Sequence, residues 1–217
     1  IQTRHYRSGQ RKQLFSGVIQ ELQKGRQAYF VYPLIDENEK LDLIALEQGY
    51  EAVATAFHPW KVGRMHGRMK PTEKEEVMRA FAANEIQILV ATTVIEVGVN
   101  VPNASVMVIE NAERFGLAQL HQLRGRVGRG AEQSYCILVT KDNLAEPTRQ
   151  RMDIMVETND GFVIAEADMK FRGPGDLEGT AQSGLPFDLR IANLFGDAEL
   201  MSEAREAAAW ILQQDPS

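Results

Sequence analysis

Cysteine is almost absent from this chain, with Cys136 alone among 217 residues. A disulfide framework and a cysteine zinc site are therefore excluded, and the apolar setting Tyr135-Cys136-Ile137-Leu138-Val139 marks a buried thiol rather than a nucleophile. The histidines His5, His58, His66 and His121 are scattered without ligand spacing, so no metal site is expected. No apolar run approaches the ~20 residues of a membrane span. The opening, with Arg4, Arg7, Arg11 and Lys12, lacks the apolar stretch of a signal peptide, and a cytoplasmic protein without a membrane partner is expected. Also missing is any Gly-x-x-x-x-Gly-Lys-Ser/Thr, so nothing here cradles the β and γ phosphates of a nucleotide by the usual route. A Gly-x-Gly-x-x-Gly after the first apolar run is lacking too, which argues against a dinucleotide-binding enzyme.

What is present is globular in character. Hydrophobic residues make up 44% and charged ones 25%, enough for a real core without disorder. The net charge of -6 argues against a protein that coats nucleic acid nonspecifically, but the charge is segregated. Acids gather in residues 36–47 and in the last third, whereas residues 114–130 carry four arginines and no acid.

Apolar runs rich in β-formers at 28–35, 62–66, 86–91, 105–109 and 135–140 read as strands. Helical patterns fall between them, at 13–24, 43–57, 72–83 and 117–127. Thr72 with Glu75 resembles a capping box at the start of the third helix. Such alternation predicts an α/β fold, a parallel sheet with helices on both faces. Ligands in such sheets sit at the carboxyl ends of strands, where Thr92 and Thr93 and the loop after Ile109 would open. The alternation stops near Thr140. Helices at 149–157 and 161–170, an irregular stretch through Arg172-Gly173-Pro174-Gly175, and an Ala-rich helix at 198–213 form a small appendage. The predicted division is 1–143 and 144–217.

The most informative stretch is Gln122-Leu123-Arg124-Gly125-Arg126-Val127-Gly128-Arg129-Gly130. Read as one continuous helix, it places Gln122, Arg126 and Arg129 on one face and Leu120, Leu123 and Val127 on the other. Gly125 and Gly128 each cost roughly 1 kcal/mol inside a helix, which suggests that something approaches the backbone closely. Two arginines three residues apart suit a polyphosphate, because each offers a planar fork of donors to phosphate oxygens. The competing reading is a solvated basic face. Upstream, Ala91-Thr92-Thr93-Val94-Ile95-Glu96-Val97-Gly98-Val99-Asn100-Val101-Pro102 offers hydroxyls and amides to phosphate. Taken alone, that segment is only a loop leaving a strand. A decoy lies at Phe30-Val31-Tyr32-Pro33-Leu34-Ile35-Asp36-Glu37, which mimics a strand ending in a Mg²⁺-binding Asp-Glu; Pro33 argues against it.

Together, the Thr-rich segment and Gln-x-x-Gly-Arg-x-Gly-Arg resemble motifs V and VI of superfamily 2 helicases. Gly63-Arg64-Met65-His66-Gly67-Arg68-Met69 resembles an earlier segment of their second motor domain. Within that superfamily, residues 91–102, 111–117 and 119–130, with Asp160-Gly161-Phe162 and Arg172-Gly173-Pro174-Gly175 in the tail, resemble the RecG family of ATP-dependent DNA helicases. The transcription-repair coupling factors share the motor and the tail motif, and Pro174 favours the former. Asn100, where Asp is common, and Ala181, where Arg is usual, depart from the pattern.

This resemblance implies a recA-like second motor domain at 1–143 and a helical hairpin-and-loop translocation motif at 144–217. It implies Arg129 as arginine finger, Arg126 as a second phosphate contact and Gln122 near the phosphates. Gly98, Asn100, Gly125 and Gly128 would line the nucleotide side. Thr92, Thr93 and Arg68 would face DNA, with a plain surface arginine the alternative for Arg68. Arg151, Arg172 and Gln182 would couple cleft closure to movement. ATP with Mg²⁺ is the implied cofactor and branched double-stranded DNA the implied partner, the protein acting as a monomer. The phosphate loop, the Mg²⁺ site and a fork-binding wedge would come from domains outside this chain, leaving it without ATPase activity of its own. The rival from another class is a non-catalytic module that holds DNA or a partner in the same basic groove.

Overall fold

The computed structural model describes residues 1–34, 39–92, 101–130 and 133–172. Among them six strands, β1 (Gln2–Arg7), β2 (Gln27–Tyr32), β3 (Val62–Met65), β4 (Ile88–Thr92), β5 (Ala104–Ile109) and β6 (Tyr135–Thr140), form one sheet in the order β1-β6-β5-β2-β4-β3. Every pairing is parallel. The connecting helices are α1 (Arg11–Gln23), α2 (Glu39–Ala56), α3 (Pro71–Ala82) and α4 (Leu117–Arg124), followed by α5 (Glu146–Glu157) and α6 (Gly161–Arg172). The expected α/β architecture is present.

Strand alternation decides which face each residue serves. On one face Ala28 and Phe30, Ile88 and Val90, Val106 and Val108, and Ile137 and Val139 meet Leu14, Val18 and Leu22 of α1 and Leu46, Val53 and Phe57 of α2. The rings of Phe30 and Phe57 lie 5.5 Å apart, edge to face. On the other face Tyr29 packs on Phe81 of α3 at 4.9 Å between centroids. Helix α5 lies against β1 and α4.

Three local readings change. β1 lies outside the predicted strands, because Gln2-Thr3-Arg4-His5-Tyr6-Arg7 lacks an apolar run; it is an edge strand along β6, where polar residues are tolerated. Helix α3 starts one residue before the predicted Thr72, at Pro71, whose fixed φ suits the first helical position. The box is closed by Glu73, which accepts from the Lys70 N–H at 2.8 Å, instead of Glu75. β2 stops at Tyr32, immediately before Pro33, as a central strand must; Asp36 and Glu37 lie outside the described residues.

By packing the chain divides into residues Ile1–Asp168 and Met169–Ser217. Of the second unit only the end of α6 is described. Cys136 is fully buried, and burial pushes its thiol up to about 12. DTNB is therefore expected to leave the folded chain unlabelled and to titrate one thiol only after denaturation. Rapid labelling of the native chain would contradict this packing.

Candidate functional site

The arginine-glycine segment is not one continuous helix. α4 ends at Arg124, and the chain turns through Gly125 N–H to His121 O (3.0 Å) and Arg126 N–H to Leu123 O (3.0 Å) before leaving the helical path. Gly128 explains the exit. Its φ is +81, the left-handed region, and a β-carbon there would sit 2.7 Å from Ile1 Cγ1. At Gly130 a β-carbon would lie 2.7 Å from the carbonyl oxygen of Pro102. These two glycines answer to backbone geometry and packing, whereas at Gly125 a β-carbon would make only ordinary contacts, 3.5 Å to Gln122 O. At Gly128 the left-handed φ and the close chain crossing already require glycine, whereas no such demand acts at Gly125.

The division into two faces survives the loss of the helix. Leu120, Leu123 and Val127 are buried, Gln122 and Arg129 are exposed and Arg126 is half-buried. Arg129 donates from Nε to Gly125 O at 3.3 Å, which props the side chain and leaves its terminal fork outward. Both arginines lie near the Tyr29 hydroxyl. Burial pushes that hydroxyl up to about 12, and the charges of Arg126 and Arg129 oppose the rise. Because Gly128 sits beside Ile1, just before β1, and Gly130 beside Pro102, just before β5, this loop lies at the amino edge of the sheet.

Thr92 ends β4 at the opposite edge. Strands of five or six residues separate the two edges by ~17 to 20 Å. The carboxyl edge has a chemical signature of its own. Four buried side-chain atoms among the described residues have no hydrogen-bond partner, and Thr92 Oγ1, His66 Nδ1 and Glu113 Oε2 belong to this edge; the fourth, Ser105 Oγ, does not. Beside them Glu110, buried and raised from its usual value by burial, is held as a carboxylate by Arg11 through a two-pronged pair at 2.9 and 2.6 Å.

A family model described as helicase conserved C-terminal domain matches residues 11–131. The chain belongs to that family.

Residues 158–217 of this helicase C-terminal domain chain match a second model, described as ATP-dependent DNA helicase RecG, domain 3, C-terminal. The chain is 52% identical to the RecG of Bacillus subtilis over 199 residues, 91% of this chain and 29% of that relative. To the RecG of Synechocystis it is 50% identical over 209 residues, 96% of this chain and 25% of the relative. A solved structure of RecG bound to a three-way DNA junction superposes with a TM-score of 0.71 at 44% identity, covering 92% of this chain and 25% of that one. The sheet is accordingly the recA-like one of a helicase C-terminal domain, and the chain spans between 25% and 29% of the length of the two relatives named.

In this helicase domain the predicted residues fall in two places. Gln122, Arg126 and Arg129, with Gly125 and Gly128, gather at or before the amino edge, and Thr92 lies at the carboxyl edge. Arg68 is exposed in the turn after β3. Arg151, on α5, is a brace: Nη1 donates to Phe115 O at 3.0 Å, and Nη2 to Glu113 O and Thr148 Oγ1 at 3.2 Å. It ties α5 to the loop that leads into α4. Thr93, Gly98, Asn100 and Gln182 lie outside the described residues, as does the side chain of Arg172.

Arg124 is a structural residue of this site that its charge alone does not announce. Only 1% exposed, it donates to Met155 O (3.0 Å) and Thr158 O (2.8 Å) at the end of α5, to Thr3 Oγ1 (3.4 Å), and lies 3.0 Å from His121 Nδ1. Burial, and then the Arg124 charge, lower the pKa of His121, so the neutral imidazole accepts from the guanidinium. The signal was in the spacing. Leu120, Leu123, Arg124 and Val127 share one helical stripe, and a charge inside an apolar stripe is a buried charge.

Proposed function

We propose that this chain is the C-terminal part of an ATP-dependent DNA helicase or translocase that acts on branched double-stranded DNA, in DNA repair and recombination. It would work in the cytoplasm as the second half of a two-domain motor. The observation that carries this reading is the separation of two chemistries to opposite edges of one sheet. Arg126 and Arg129 present cations at the amino edge, and Thr92 holds a buried, unpartnered hydroxyl at the carboxyl edge. A motor that converts nucleotide closure into a grip on DNA requires two such sites on one rigid body.

ATP with Mg²⁺ would supply the phosphoryl transfer, its phosphate loop and metal site contributed by a first motor domain. The residues here fit the remaining task. Arg129, propped by Gly125 O, is free to turn its fork toward a γ-phosphate, and half-buried Arg126 holds a second positive charge beside it. Charge developing in the transition state is thereby neutralised by groups already in place. Gln122, exposed on the last turn of α4, stands within the same patch; Gly98 and Asn100 are assigned to the nucleotide side by resemblance. Residues 1–143 form the motor domain in this reading. Residues 144–217 form the translocation motif, with Arg151, Arg172 and Gln182 passing movement to DNA. The brace from Arg151 to the loop before α4 gives that coupling a path, since a shift of α4 pulls on α5.

Mixing the chain with a separately produced first motor domain and duplex DNA tests the proposal. ATP turnover should appear in the mixture and be absent from either part alone. DNA binding without nucleotide binding in the mixture would favour the non-catalytic module.

A further inference from the structure

Three strand ends stand side by side at the carboxyl edge. β2 pairs with β4 through Tyr32 and Thr92, and β4 pairs with β3 up to Ala91 and Met65, so His66, the first residue after β3, would stand beside Thr92 if the register ran one residue further. Alternation turns all three side chains the same way. Phe30, Val90 and Val62 face α2 and its core, so Tyr32, Thr92 and His66, each two or four residues on, face the same side. The Tyr32 ring sits against α2 at Gly49, where a β-carbon would clash with it.

The two members nearest the outer edge are unsatisfied. Thr92 is 2% exposed and its hydroxyl has no hydrogen-bond partner; the Nδ1 atom of His66 is buried and likewise unpartnered. Each such group costs ~1 to 3 kcal/mol relative to a satisfied one, and each calls for an explanation, of which a bound ion or ligand is one. The charges around His66 are mixed but mostly positive: Glu47 from α2, Arg64 from β3, Arg68 from the following turn and Lys74 from α3. Glu47 is engaged by Arg64, whose guanidinium also lies over the Tyr50 ring at 5.3 Å. An anion would be the favoured guest, and one oxygen could take the Thr92 hydroxyl while another takes the imidazole.

We propose that His66 is a DNA phosphate contact that works with Thr92 and binds in its protonated form. The proposal rests on the reading of the carboxyl edge as the DNA side and adds a residue and a proton to it. In the free chain burial, with Arg64, Lys74 and Arg68, lowers the His66 pKa, so the ring is neutral near pH 7. A phosphate against Nδ1 favours the imidazolium, so binding takes up a proton. Linkage fixes the sign: affinity rises as pH falls and levels off once the free ring is itself protonated.

The test uses this chain and a short fluorescein-labelled DNA duplex, with anisotropy titrations at about pH 6 and about pH 8. The wild-type chain should bind more tightly at the lower pH. His66→Gln should weaken binding there by about tenfold and flatten the pH dependence; Thr92→Val should weaken binding at both values and keep the dependence. If Thr92→Val weakens binding while His66→Gln leaves the profile as steep as before, the proton contact is wrong and the DNA edge stands. If the chain binds no duplex, or Thr92→Val has no effect, the DNA edge itself fails. A histidine-selective NMR titration of the unmutated chain needs no folded variant. The His66 pKa should rise on adding duplex while that of His5, whose Nε2 is bonded to Thr140 Oγ1, stays put. An unmoved His66 overturns the proposal.

Discussion

Replacing Arg129 by alanine in the assembled motor is expected to lower ATP turnover by about a thousandfold or more while leaving duplex binding within about twofold. The first half follows from what the side chain can do. A guanidinium placed against the γ-phosphate neutralises charge that exists mainly in the transition state, so its loss falls on kcat rather than on nucleotide affinity. The second half follows from where it stands. The loop carrying it is fixed by the left-handed Gly128 against Ile1 and by Gly130 against Pro102, and among the described residues Arg129 contributes a single 3.3 Å bond, to Gly125 O. Truncation should therefore leave the fold intact, and Thr92 is a strand length away. Arg129→Lys should restore little, because an ammonium lacks the fork. Steady-state turnover alongside anisotropy with labelled duplex decides the matter. Unchanged turnover would remove the finger, and loss of both activities together would mean that the loop is structural.

The sheet was legible because four of its strands carry apolar runs buried on both faces, at β2, β4, β5 and β6. β1 was not, since an edge strand such as Gln2–Arg7 need not be apolar. The arginine-glycine segment shows a subtler limit. Periodicity of 3.6 continues to sort Leu120, Leu123 and Val127 from Gln122 and Arg126 even after the helix has ended, so it could not reveal that the backbone turns at Gly125. Glycine spacing suggests room for a ligand, but a positive φ or a neighbouring chain, as at Gly128, demands glycine equally, and only the three-dimensional structure distinguishes these causes. Interactions between distant parts of the chain were also hidden. Nothing local in Arg151 points to the carbonyls of Glu113 and Phe115, and nothing local in His66 points to the end of β4, whose register with β3 closes at Met65 and Ala91.

Arg124 explains how the part of the chain after β6 is held, and Arg124→Ala is expected to be the most destabilising of the substitutions considered. The wild-type Arg124 is buried, and its guanidinium satisfies the carbonyls of Met155 and Thr158, where α5 ends and its last C=O groups have no helical partner. Burial lowers its pKa, but the two carbonyls, the imidazole of His121 and Thr3 Oγ1 provide enough acceptors to keep the charge. Alanine removes these bonds together, leaves buried acceptors empty and opens a cavity, a combined loss of about 3 to 5 kcal/mol. For a domain of this size that lowers the melting midpoint by roughly 6 to 20 °C. Arg124→Met separates the two contributions, because it fills the volume without donating. If methionine restores most of the midpoint, the arginine is chiefly a spacer. If it fails as alanine does, the charge holds the end of α5 to α4. The effect should also be local at first, with amide exchange at 155–161 accelerating before that of the central strands. An Arg124→Ala chain that melts like the wild type, with unaltered exchange at the end of α5, would show that the buried guanidinium contributes nothing to holding these helices together.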